Sequence, residues 1–153
     1  MPGLASRRVP RLTSAVDIMP TVLELLGVPV PEGLTLHGRS FLSALRGESD
    51  AGRDITVTTM PLANPGQGVR VVDSVLRQVM RFQPASISTP EWSLLYAARG
   101  EPVELYHLPT DPRQATNVAD QHPGVVQDLH RAYVALLEQT GTAAEYLEPR
   151  REL

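Results

Sequence analysis

The sequence predicts a mixed α and β protein (α+β), with short helices first, strands through the middle and the longest helix near the end. Three observations carry this. Ile18, Val22, Leu25 and Leu26 recur at i, i+4, i+7 and i+8, the spacing of one helical face. Ile55–Met60, Trp92–Ala98 and Pro102–Leu108 are short runs of β-branched, aromatic and aliphatic residues, the composition of strands. Pro123–Gln139 then sets Val126, Leu129, Tyr133, Leu136 and Leu137 on one helical face.

In chain order, Met1–Thr13 carries Gly, two Pro and three Arg without periodicity and reads as an exposed lead-in. Ser14–Pro31 (SAVDIMPTVLELLGVPVP) is the most ordered stretch. Asp17 is expected at the N-cap, Pro20 fits only the first turn, Gly27 suits a left-handed exit, and Pro29 and Pro31 forbid continuation. A helix this short does not hold together alone in water, so its apolar stripe needs a body to pack on. Val28–Arg39 reads as a loop. Ser40 then caps a second short helix with Phe41, Leu42 and Leu45 on its face and Gly47 as its stop.

Glu48–Asp54 is a polar connection to the strand at Ile55–Met60. Pro61–Gly68, with two Pro and two Gly, marks a boundary between subdomains. Val69–Phe82 is read as two strands turning at Asp73–Ser74, although Val69, Val72, Leu76 and Val79 fit helical spacing nearly as well. Gln83–Glu91 reads as loop, Arg99–Gly100 as the turn between the next two strands, and Pro109–Asn117 as a turn cluster in which Asp111 accepts downstream N–H groups. The last helix is expected to start near Asp120 or His122 and to end at Gly141. Thr142–Leu153 shows no pattern and reads as a frayed tail. The divisions expected are therefore 1–60, a linker 61–68, a sheet-and-helix part 69–140, and a tail 141–153.

Composition narrows the function classes. The 153 residues are 42% hydrophobic, enough for a modest core, yet 14 Pro and 11 Gly break elements often and suit surfaces that rest on another body. A net charge of −3 with interspersed signs offers no basic field, so neither nucleic acid nor an anionic membrane surface is an expected partner. No apolar run approaches the ~20 residues of a membrane span. Met1–Arg11 lacks the apolar core of a signal peptide, so any such peptide is expected upstream and the compartment stays open. With no Cys, disulfides, thiolate nucleophiles and Cys-bound zinc are excluded.

The chemistry-bearing residues favour structural roles. His37, His107, His122 and His130 are scattered and no pair has the i, i+4 spacing that aligns two metal ligands, so surface or capping roles are expected. Asp17 and Asp111 read as a cap and a turn former, and Ser40 has neither a nucleophile elbow nor an evident base. Arg7, Arg8 and Arg11 could hold an anion but read as a solvated arm. Trp92 and Tyr106 could line a cleft but read as core or interface.

Two segments resemble the C-terminal part of the sulfatase family, within the alkaline-phosphatase superfamily. Val16–Pro31, followed by His37-Gly38-Arg39-Ser40-Phe41 and Leu45-Arg46-Gly47-Glu48, is similar to the family's D-x-x-P-T helix and its G-x-S-x-x-x-x-L-x-G element. Glu104-Leu105-Tyr106-His107-Leu108, with Thr110-Asp111-Pro112 and Thr116-Asn117-Val118-Ala119, is similar to the ELYDL-x-x-DP-x-E-x-x-N-L-A signature, with His107 and Gln114 where the family has acidic residues. Arg77-Gln78 stands where the family has a W-K or R-K pair.

The resemblance implies the edge of an alkaline-phosphatase-like α/β catalytic domain, followed by a small antiparallel sheet with a helix across it. It implies sulfuric ester hydrolysis in the complete enzyme, with calcium or magnesium and a formylglycine made from the Cys or Ser of a C/S-x-P-S-R motif. It also implies two partners, the remainder of the catalytic domain and a sulfated small molecule or glycan. The chain has no such motif and no Asp-Asp pair, so no catalytic, cofactor or metal residue is carried over to it. The expectation is a C-terminal fragment, inactive alone, that shapes the rim of a substrate cleft. The rival readings are a free-standing interaction module and a fragment of a phosphoester or phosphonate hydrolase of the same superfamily.

Overall fold

A computed structural model describes residues 9–48, 52–59, 84–98 and 100–153. The chain divides into two compact units, Met1–Thr56 and Val57–Leu153.

In the first unit a single 3-10 turn, Ala15–Asp17, runs into helix α1, Ile18–Leu26. Pro20 lies in the first turn, where its missing N–H leaves no intrahelical bond unmade. Gly27 adopts φ 64°, so its own N–H returns to Glu24 O at 3.2 Å and the N–H of Val28 returns to Leu23 O at 2.9 Å. That left-handed exit is the one the sequence predicts. Helix α2, Leu42–Arg46, packs on α1 with Leu42 and Ala44 buried. Ser40 Oγ accepts the N–H of Leu42 at 3.2 Å, and Gly47 closes the helix.

The face that α1 buries is not its apolar one. Thr21 is 3% exposed and Asp17 fully buried, whereas Ile18 is 57%, Val22 41%, Leu25 36% and Leu26 67% exposed. Val16, Met19, Val28, Val30 and Leu34 extend the exposed apolar surface. The stripe read from periodicity is real, and among the described residues nothing in this unit covers it.

The second unit is built on a sheet with strand order β1-β2-β3-β4. Its strands are β1 (Thr56–Thr59), β2 (Ala85–Ser88), β3 (Trp92–Tyr96) and β4 (Glu104–His107). Both β2 and β4 run antiparallel to β3, with Ile87 opposite Leu94 and Leu94 opposite Leu105. Because side chains alternate along a strand, these three share one face with Ala85 and Tyr96, and all five are buried. Helix α3, Pro123–Gln139, packs against β2 and β3 with Val126, Leu129, Tyr133 and Leu137 buried. A 3-10 turn, Ala119–Gln121, links β4 to α3.

Several expectations are corrected here. The stretch Gln83–Glu91, read as loop, contains β2, because its one large apolar residue, Ile87, gains its place from pairing with β3 rather than from local propensity. Thr142–Leu153, read as frayed, forms helix α4 (Ala144–Leu147) and a 3-10 turn (Glu148–Arg150), with Leu147 and Arg150 buried. A segment docked through an arginine leaves no apolar periodicity to read. His130, expected at the surface, is 7% exposed. The loop Pro61–Gly68, the two strands expected in Val69–Phe82 and the Arg77-Gln78 pair lie outside the described residues.

Candidate functional site

The first of the two motif segments folds around one carboxylate. The 3-10 turn directs Asp17 inward, where Oδ2 accepts the N–H of Ser14 at 2.9 Å and Oδ1 accepts the N–H of Arg39 at 2.7 Å. Arg53 donates in bidentate fashion, from Nε to Oδ2 at 2.9 Å and from Nη2 to Oδ1, and Nη2 also reaches the carbonyl of His37 at 3.4 Å. Burial by itself would raise the Asp17 pKa, but the Arg53 hydrogen bond and charge and the two backbone N–H groups outweigh it and hold the carboxyl at about 2. The same pairing raises the Arg53 pKa. Asp17 thus occupies the N-cap position of α1 that the sequence suggests, but its carboxylate bonds other segments and not the first N–H groups of that helix. Its own backbone is helical, and its side chain ties three segments of chain together.

Two further contacts fix the His37-Gly38-Arg39-Ser40 loop against α1. Thr21 Oγ1 donates to Asp17 O at 2.6 Å and accepts the N–H of Phe41 at 3.1 Å. A Cβ on Gly38 would stand 1.9 Å from the carbonyl oxygen of Val16, so only glycine fits that approach. The D-x-x-P-T and H-G-R-S residues are one structural unit, with Arg53 as the part that sequence reading missed. A lone arginine 36 positions downstream carries no local signal.

The second motif segment is also a knot of backbone bonds. Asp111 Oδ2 accepts the N–H groups of Ala115 at 2.8 Å and Thr116 at 2.9 Å, as its place in the turn cluster predicts. Asn117 Oδ1 accepts from Leu105 N at 3.0 Å and Ala119 N at 2.9 Å, and its Nδ2 donates to Val103 O at 3.2 Å. One amide thereby joins β4 to the turn before α3. Tyr106 is buried and its hydroxyl donates to Glu104. His107 Nδ1 lies 2.8 Å from Thr110 Oγ1, and the Trp92 ring meets those of His107 and His122 at tilts of 49° and 55°, with centroids 4.6 and 5.0 Å away. Trp92, His107 and His122 are therefore packing residues. Ser40 is an acceptor for a helix N–H.

The residues present do not fit the metal and formylglycine that the resemblance implies. The sequence holds no Cys and no Ser-x-Pro-Ser-Arg. Among the described residues no three His, Asp or Glu side chains converge as metal ligands, and the Asp17 carboxylate is filled by Arg53 and two N–H groups. Of the arginine arm, only Arg11 is described, and it is half-buried. No described helix is long and apolar enough to cross a membrane.

Helices together with a four-stranded antiparallel sheet make a mixed α+β fold that matches those of solved sulfatases. Comparison with known proteins narrows the class. The chain is 28% identical over 137 residues to N-acetylglucosamine-6-sulfatase of Capra hircus, an alignment covering 77% of this chain and 24% of that one. It is 30% identical over 132 residues to arylsulfatase K of Rattus norvegicus, covering 84% and 22%. The crystal structure of the phosphonate monoester hydrolase of Agrobacterium radiobacter superposes with a TM-score of 0.64 at 25% identity, covering 84% of this chain and 25% of that one. No family model matches. The chain is a relative of the sulfatases of the alkaline-phosphatase superfamily, and it spans about a quarter of the length of the curated relatives it matches.

Proposed function

We propose that this chain is the C-terminal part of a sulfatase-type hydrolase, one that completes the edge of a catalytic domain and shapes the rim of its substrate cleft. The observation that carries this is the exposed apolar surface of Val16, Ile18, Met19, Val22, Leu25 and Leu26 beside a rigid, fully bonded motif. A helix whose polar face is buried and whose apolar face is bare is built to pack on a further layer. In this reading residues 1–60 belong to that catalytic domain and 69–140 to a smaller sheet-and-helix subdomain. The nucleophile, the calcium or magnesium ligands and the general acid come from the remainder of the domain. The substrate is a sulfated small molecule or glycan, as the names of the sulfatase relatives suggest by analogy. No residue of the chain itself performs a chemical step.

The test is direct. The purified chain, supplied with calcium or magnesium and a chromogenic aryl sulfate, is expected to show no turnover above buffer. Sustained turnover that survives a mock-purification control overturns the reading. Reading the DNA upstream of the first codon is the companion experiment, and a frame encoding C/S-x-P-S-R and Asp-rich metal motifs is the expected result. A second reading, a part of a phosphonate or phosphoester hydrolase, is favoured by the superposition on the phosphonate monoester hydrolase. Parallel assay of the joined frame with aryl sulfate and phenyl phosphonate separates the two.

A further inference from the structure

The end of the chain is held to the second unit by polar groups that are buried, and these converge on one imidazole. Arg150 is fully buried. Its Nε donates to the hydroxyl of Tyr133 at 3.1 Å and its Nη1 to the carbonyl of Tyr146 at 2.7 Å, while its own carbonyl meets Nε2 of His130 at 2.9 Å. Tyr96 of β3 lies against the His130 ring, with centroids 4.7 Å apart, and its hydroxyl donates to the carbonyl of Glu152. The segment from α4 onward is thus a strap across α3 and β3, fastened at His130 and Arg150.

We propose that this strap is a pH-sensitive latch, closed while His130 is neutral and released when it is protonated. In the closed state Nε2 carries the proton donated to the Arg150 carbonyl, which leaves Nδ1 bare. A second proton creates a cation in a buried site. The titratable and charged groups around it are Arg131 and the Tyr133 hydroxyl from α3, Tyr96 from β3, and Arg150, Arg151 and Glu152 from the strap; three of these are cations, and Glu152 is the one anion that would favour the proton. Arg131 and Arg151 line the same cavity of about 440 Å³ beside His130, and their own acids, Asp128, Glu138 and Glu148, are engaged with them. Burial lowers the His130 pKa, and the hydrogen bond to Arg150 only partly opposes it.

The sign follows from the two states. An imidazole whose pKa is lower in the closed strap than in the open one binds its proton preferentially when open, so acid favours opening. With an ordinary value of 6.5, the open fraction rises by up to about 30-fold at pH 5.

Hydrogen exchange of the full chain at pH 7.5 and 5.0, corrected for the intrinsic pH dependence, tests this. Peptides covering 143–153 are expected to lose protection at pH 5.0, by up to about 30-fold, while β3 and the core of α3 keep theirs. In His130→Gln, whose amide can still donate to Arg150 O, strap protection is expected to be independent of pH. Unchanged protection of the wild-type strap, an equal loss in the variant, or simultaneous loss throughout β3 and α3 each overturns the latch. Should the variant not fold, NMR titration of wild-type His130 decides: a midpoint shared with the strap amides supports the proposal, and separate midpoints overturn it.

Discussion

Asp17 shows how one buried side chain organises the stretch of sequence from Ser14 to Arg53. Removing its charge leaves Arg53 facing a neutral amide, and breaking a buried pair by one partner costs about 3 kcal/mol or more. Asp17→Asn is therefore expected to lower the melting temperature of the first unit sharply, measured by circular dichroism. Because the folded pKa of about 2 lies below the ordinary 3.8, the stabilisation is complete above pH 3.8 and is lost as pH falls toward 2. Thermal scans between pH 5 and 2 should show that decline in the wild type and its absence in the variant. Gly38 gives a second residue-level test. Its Cβ would meet backbone rather than a movable side chain, so Gly38→Ala is expected to destabilise by about 2 kcal/mol or more, whereas Gly124→Ala, with open space around it inside α3, should not destabilise.

Among the elements, β4 and the turn before α3 depend on Asn117. Truncation to Ala leaves the N–H groups of Leu105 and Ala119 without that acceptor, at about 1–3 kcal/mol. Asn117→Asp keeps the acceptor and loses only the donation to Val103 O, so it should fall between wild type and Asn117→Ala in urea midpoint. The helices themselves were largely legible from sequence. Periodicity found α1 and α3, and the glycines at 27, 47 and 141 marked their ends. Strand β2 was not legible, since Ala-Ser-Ile-Ser lacks a two-residue alternation of large apolar and polar groups, and its identity comes from the register with β3. The strap escaped for the same reason: a fully buried arginine looks, in sequence, like any solvated one.

For the whole molecule, the bare face of α1 is the feature that supports the proposed packing on a further layer. Ile18→Gln together with Leu26→Gln should change stability by no more than about 0.5 kcal/mol, because both side chains are already exposed, while reducing binding of an apolar dye. A stability loss of several kcal/mol would mean that the face is covered in solution.

By itself the sequence determined helices α1, α2 and α3 and three of the strands, the turn chemistry of Asp111, the absence of thiol chemistry and the likeness to sulfatases. These are local matters, set by periodicity, capping, spacing and residue type within a dozen positions. Tertiary structure alone decided that the Asp17 carboxylate, at the N-cap position, clamps distant segments, that Arg53 is its counter-ion, that His130 and Arg150 are interior, and that α1 buries its polar face. Each depends on which distant group meets a side chain when water is removed, and the energy of a charge or an amide is settled by that partner rather than by its neighbours in sequence.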